Sequence, residues 1–259
     1  MIVDTSDTMG RVIAASGVWE PHVTAMVSRL LSPGDVCVDV GAHIGYYTVL
    51  AARLVGPGGR VYALEPSPTA NAALRANVAL NSATNVTALR VAAGASEGRA
   101  KLVAPPPGNT GEASTRIVTS SEPDLRSDEV RVQPVASVVD ESNVRRLRLV
   151  KIDVEGYEAE VLEGMESLFV GGARPAVIVE VHPHRVRETV AAMDRMQSAF
   201  SLCAFELVRV PPHERFAEVP PPRELMSLAE VEERCREQTL NVVLVSDGTS
   251  LGRPGSGSR

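Results

Sequence analysis

Short aliphatic runs punctuate the chain, and between them apolar residues recur at helical spacing. Residues 36–40, 60–64, 86–91, 147–153 and 176–181 predict five strands. Their nearly unbroken apolarity is that of strands covered on both faces. Residues 20–31 predict an amphipathic helix through Val23, Met26, Val27, Leu30 and Leu31, stopped by Ser32-Pro33-Gly34-Asp35. Further helices are expected from Gly45 to Gly56, from an N-cap at Ser67 with Pro68 in the first turn, from Tyr157 through Val161, Leu162, Met165, Leu168 and Phe169, and over 185–200. Strands alternating with helices predict an α/β fold, a Rossmann-like, mostly parallel, doubly wound sheet. Residues 205–210 and 240–245 predict a further antiparallel pair at its edge. The expected organisation is an N-terminal segment and helix at 1–31, a main domain at 32–246 and a disordered tail at 247–259. Residues 105–130 are poor in apolar side chains and rich in Pro, Gly, Ser and Thr. They read as a long loop, either a mobile lid or loose surface.

Composition narrows the function. Only 3% of residues are aromatic against 44% hydrophobic, so the core must be mostly aliphatic. A net charge of −6 with no basic stripe argues against a nucleic-acid partner. Cys37, Cys203 and Cys235 are too widely spaced for a zinc site and read as free thiols in a reducing compartment. No apolar run approaches the ~20 residues that span a bilayer. The N-terminal sequence lacks the order of a signal peptide. A cytoplasmic protein without a membrane partner is the expectation; the oligomeric state is left open.

The candidate chemistry lies where strands end. Val38-Asp39-Val40-Gly41-Ala42-His43-Ile44-Gly45-Tyr46-Tyr47-Thr48 joins the first strand to a helix. Gly41 permits a sharp turn, Gly45 lets backbone approach a ligand, and the helix start offers free N–H groups. Asp39 before the turn would repel a pyrophosphate but suits an ammonium or sulfonium. Glu65, ending the second strand, is placed to accept both hydroxyls of a ribose. An acid, two glycines and a second acid predict a nucleoside site. The G-x-G-x-x-G turn of a dinucleotide enzyme is missing. Lys151, Asp153 and Glu155 follow at the end of the fourth strand, and Glu180 and His182 share one side of the fifth. Asp153, Glu155, Glu180 and His182 are the catalytic candidates, with His182 first and Asp153 second as general base. Glu158 and Glu160 also suit the dipole of the following helix. No cluster demands a metal, although Asp153 with Glu180 has the oxygens for a hard cation.

At these residues the chain resembles the FkbM family of S-adenosylmethionine-dependent methyltransferases. The likeness runs over about residues 17–246. Its landmarks are Gly17-Val18-Trp19-Glu20-Pro21, residues 38–48, Glu65-Pro66, Asn109-Thr110-Gly111-Glu112-Ala113-Ser114, Asp140, residues 151–158 and Glu180-Val181-His182. The chain has His43 where the family usually has Asn, and Ser137-Val138-Val139 where it favours Thr-Leu. The resemblance implies a seven-stranded methyltransferase fold with an antiparallel last strand. It also implies O-methylation of a small-molecule hydroxyl, on a natural product or sugar, with S-adenosylmethionine as cofactor. Asp39, Gly41, Ala42, His43, Gly45, Tyr46 and Thr48 would form the cofactor turn and Glu65 would hold the ribose. Asp153 would face the methionine end or the acceptor. The rival readings are N-methylation, a nucleoside-binding protein without turnover, and a nicotinamide dehydrogenase.

Overall fold

The computed structural model describes residues 1–103, 116–118, 127–211, 219–225, 227–236, 238–246 and 251. Two helices lead, α1 (Thr8–Ser16) and α2 (Pro21–Leu30). Then come β1 (Val36–Val40), α3 (Tyr46–Val55), β2 (Arg60–Leu64), α4 (Pro68–Leu80) and β3 (Val86–Leu89). A β-rich stretch follows with β4 (Ala92–Ala93), β5 (Gly98–Val103), β6 (Arg116–Val118) and β7 (Ser127–Gln133). After α5 (Val135–Val138) and α6 (Glu141–Val144) the alternation resumes with β8 (Leu147–Ile152), α7 (Glu158–Glu163), α8 (Glu166–Val170), β9 (Ala176–Val181) and α9 (Val186–Phe200). The described chain closes with β10 (Leu202–Leu207), β11 (Arg223–Glu224), α10 (Ala229–Arg234) and β12 (Leu240–Ser246). No helix among the described residues is long and apolar enough to cross a membrane.

The main sheet runs β11-β10-β12-β9-β8-β1-β2-β3. β3, β2, β1, β8 and β9 are parallel, and β12 lies antiparallel between β9 and β10. The expected doubly wound sheet is therefore present, with seven principal strands and the two-residue β11 added at the edge. All of β1 is buried. One face packs against the cluster containing Leu162, Phe169 and Met193; the other packs against Val27, Tyr47 and Val55. Burial of such side chains contributes about 1.5–3 kcal/mol each. β1 has β2 on one side and β8 on the other, so the sheet reverses its winding there. That reversal opens a crevice beyond the carboxyl ends of the strands.

Several expectations are corrected. β10 starts at Leu202, three residues before the expected strand, because Ser201 adopts φ 53 and turns α9 directly into it. The helix expected from Tyr157 is two short ones broken at Gly164, where an added Cβ would lie 2.0 Å from the carbonyl oxygen of Gly94. The unforeseen α1 is capped by Asp7, whose side chain accepts from the Gly10 N–H, and is closed by Gly17 at φ 74. A second sheet, ordered β4-β7-β5-β6, was also missed; it buries Ala92, Ala100, Leu102, Val130 and Val132 together. It takes in part of the region expected to be loop. The rest, 104–115 and 119–126, lies outside the described residues, as does nearly all of the expected 247–259 tail. Of the thiols, Cys37 and Cys235 are buried and Cys203 is half-buried. The Cys235 thiol donates to the carbonyl of Val181 at 3.1 Å.

Candidate active site

Backbone builds the first part of the crevice. After β1 the chain takes left-handed conformations at Gly41 (φ 78), His43 (φ 49) and Gly45 (φ 87). The N–H groups of Gly41 and Ala42 donate to Leu64 O at 2.9 and 3.1 Å, which locks the turn to the end of β2. A Cβ on Gly41 would lie 1.8 Å from Asp153 O, and one on Gly45 would lie 2.6 Å from Leu74 Cδ1. Glycine is required at Gly41 for space as well as for φ, and at Gly45 chiefly for φ. The histidine at position 43, where the family usually has Asn, fits its backbone. His and Asn are both enriched among the non-glycine residues that tolerate positive φ. Asn77 fixes the turn from below, its Nδ2 donating to Ile44 O at 2.8 Å.

Glu65 is buried at the end of β2. One carboxylate oxygen accepts from His43 N at 2.9 Å and the other from Ser67 N at 2.8 Å. Burial pushes its pKa up to about 7 against those two N–H groups. Each oxygen has further lone pairs, so a diol can still be received. Asp39, also buried, accepts from Thr48 Oγ1 at 2.6 Å, while its other oxygen has no partner. Thr48 thus supports Asp39. Tyr46 is buried with its phenol 3.3 Å from Thr24 Oγ1, so its side chain serves the packing of α2 on α3 rather than the turn.

Charge builds the second part. Lys151 stands opposite Asp39 in the β1–β8 register. Its ammonium is buried, 2.9 Å from Asp153 Oδ2 and 4.6 Å from the centre of the Tyr47 ring. Burial alone would depress the lysine pKa, but Asp153, Asp39 and Glu20 outweigh it and hold the amine charged. Burial would likewise raise the pKa of Asp153, yet the Lys151 charge wins and keeps its carboxyl well below the usual range. Glu180 is hydrogen-bonded to Asp153; burial first, then the Asp153 charge, pushes its pKa well up.

His182 lies among acids. Its Nδ1 is 3.4 Å from Glu155 Oε2, and its Nε2 is 3.4 Å from Glu180 Oε2 and 3.8 Å from Glu158 Oε1. Burial would lower its pKa, but Glu180, Glu155 and Glu158 push it up to about 9. His182 is consequently an imidazolium at neutral pH, not the ready base expected from the sequence. Glu158 proves fully buried, accepting from Gly156 N at 2.8 Å, and Glu160 pairs with Arg185 at 2.9 Å. Both are tied into the local structure.

One site residue was missed as such. Glu20, just before α2, reaches the crevice, its carboxylate accepting from Tyr47 OH at 2.9 Å and Asn241 Nδ2 at 3.4 Å. Burial and then Asp153 raise its pKa. The signal available was an acid directly ahead of a helix-starting proline, within a landmark of the family.

The comparisons with known proteins agree with this architecture. The FkbM methyltransferase domain matches residues 39–207, from the site end of β1 through β10. The 31-O-demethyl-FK506 methyltransferase FkbM of Streptomyces tacrolimicus is 32% identical over 177 residues, 59% of this chain and 67% of that protein. Methyltransferase sdnD of Sordaria araneosa is 29% identical over 182 residues, covering 60% and 70%. Among solved structures, methyltransferase FkbM from Methylobacillus flagellatus KT shares the fold, with a TM-score of 0.53 at 15% identity over 84% of this chain. The present chain spans about half the length of that one, 47%. With the domain matched over most of the described sheet, this chain belongs to the FkbM family of methyltransferases.

Proposed function

We propose that this methyltransferase binds S-adenosylmethionine in the crevice and methylates a hydroxyl on a small molecule. The observation that carries the reading is Glu65, a buried carboxylate held by two backbone N–H groups beside the Gly41–Gly45 turn. It offers two fixed acceptors where a ribose would lie. Next to it, the unpartnered oxygen of Asp39 and the crowd of acids around Lys151 fit a ligand bearing positive charge. Bound there, S-adenosylmethionine supplies an electrophilic methyl group.

The chain's own work is then to position an acceptor oxygen and remove its proton. Asp153 stays ionised beside Lys151, and Glu180, its pKa pushed well up by burial and by the Asp153 charge, stands next to it. The Asp153–Glu180 pair therefore takes the role the sequence assigned to His182. The imidazolium of His182 holds the neighbouring acids in place. Transfer to oxygen, rather than nitrogen, is favoured by the relative named for acting on 31-O-demethyl-FK506.

Calorimetry with S-adenosylmethionine and its demethylated product tests the cofactor, and labelled methyl transfer to a panel of alcohols and amines tests the acceptor. Glu65→Ala is expected to weaken cofactor binding at least ~10-fold, since hydrogen bonds to a charged group are worth about 1.5–3 kcal/mol. Unchanged affinity in that variant, or preferential binding of a nicotinamide dinucleotide by the wild type, overturns the reading.

A further inference from the structure

We propose that Asp153, Glu155 and His182 form a binding site for a divalent cation of the manganese type. Each offers one oxygen or nitrogen, and the three atoms lie within 4.8 Å of one another. Ligands bound at roughly 2.0–2.3 Å to one ion stand no more than about 4.6 Å apart. Three ligands cannot all lie opposite one another, so closing on a cation draws them to about 3–4 Å apart, a shift of up to about an ångström. The sequence pointed to Asp153 with Glu180 for a hard cation; the structure instead brings Glu155 and His182 to Asp153.

The imidazole supplies an independent observation. His182 is 6% exposed, and its Nε2 stands 3.4 Å from Glu180 Oε2 without a well-aligned hydrogen bond to it. Buried polar atoms without partners are uncommon and ask for an explanation. A metal-bound histidine ordinarily directs its other nitrogen to a carboxylate or carbonyl. Here Nδ1 faces Glu155 while Nε2 faces Glu180 and Glu158, so whichever nitrogen binds the ion, the other has an acid beside it.

Charge points the same way. Glu155, Glu158 and Glu180 stand around His182, and Asp153 lies against Lys151. A dication would replace the imidazole proton, releasing it to solvent, and would add net positive charge among the acids. Two carboxylates with one imidazole suit manganese better than calcium, which prefers oxygen alone. Such an ion would hold an acceptor hydroxyl and ease loss of its proton. That role rests on the methyl-transfer reading, whereas cation binding does not.

The test is titration of Mn²⁺ into the full chain, cleared of metal with chelator, with neither cofactor nor acceptor present. Loss of the free-ion paramagnetic resonance signal reports binding. The expected result is one ion per chain with a dissociation constant on the order of 100 micromolar or tighter. Glu155→Gln and His182→Gln should each weaken it at least ~10-fold. Glu155 is half-exposed, and circular dichroism of its variant checks that the fold is kept. No binding at millimolar Mn²⁺, or equal binding in folded Glu155→Gln and wild type, overturns the proposal. Failure here with S-adenosylmethionine still bound leaves the methyl-transfer reading intact. Cation binding without cofactor binding would do the reverse.

Discussion

At the β1–β2 end of the crevice the groups that define the surface are largely main chain: three residues at positive φ, two N–H groups on Glu65 and two on Leu64 O. At the β8–β9 end they are ionised side chains, with Lys151 and His182 set among acids. The backbone turn of the first region is fixed by sterics, which do not change with solution conditions, and among its side chains Glu65 titrates at about 7. The second is fixed by charge balance, which changes with pH and with any ion that enters. Shape is therefore held at one end of the crevice while charge remains adjustable at the other.

The sharpest way to break this contrast is at the contact between the two regions. Gly41→Ala would drive a Cβ to 1.8 Å from Asp153 O at a φ of 78. The expected loss is more than about 4 kcal/mol in denaturant unfolding, independent of pH. Gly58→Ala, with nothing within 4 Å of the added atom, should stay within about 0.5 kcal/mol. Equal losses in the two variants would show that the close approach is unimportant.

A smaller, pH-dependent effect is expected from His182. Its folded pKa, about 9, lies above the ordinary histidine value of 6.5. The associated stability is full below about pH 6.5 and is lost as pH rises through about 9. For a shift of this size it amounts to about 3 kcal/mol. Unfolding at pH 6 and pH 10 should show that slope in the wild type and not in His182→Gln. The same slope in both would remove His182 from the balance.

The smallest effect sharpens the boundary between the regions. Thr48→Val deletes the hydroxyl that donates to Asp39 and should cost about 2 kcal/mol at neutral pH. The loss should shrink in acid, because that hydrogen bond favours the ionised carboxyl. A loss of equal size at every pH would make Thr48 a packing residue only.

The same contrast explains what was legible in the sequence. β1, β2 and β9 match expectation residue for residue because they are aliphatic and covered on both faces. The second sheet was hidden because its inward residues, Ala100, Leu102, Val130 and Val132, are few and interleaved with charged ones. Gly41, Gly45, Glu65, Asp153 and His182 were visible as site candidates since the ends of parallel strands must meet. The protonation of His182 was not, because it depends on Glu155, Glu158 and Glu180 converging from separate positions. Glu20 was obscured for a similar reason. Its neighbours Tyr47 and Asn241 are remote in sequence and meet it only across the folded sheet.

The thiol that ends α10 gives this enzyme a reporter of its own breathing. Cys235 is fully buried, its pKa is pushed up to about 11 by burial, and it bonds to the residue just before His182. An alkylating reagent can reach it only when that corner lifts away from β9. Cys203 is half-buried and should be labelled sooner, whereas Cys37 lies inside β1 and should wait for the central sheet to open. The order in which the three thiols are consumed would then time the local openings of the molecule, with no foreign label introduced.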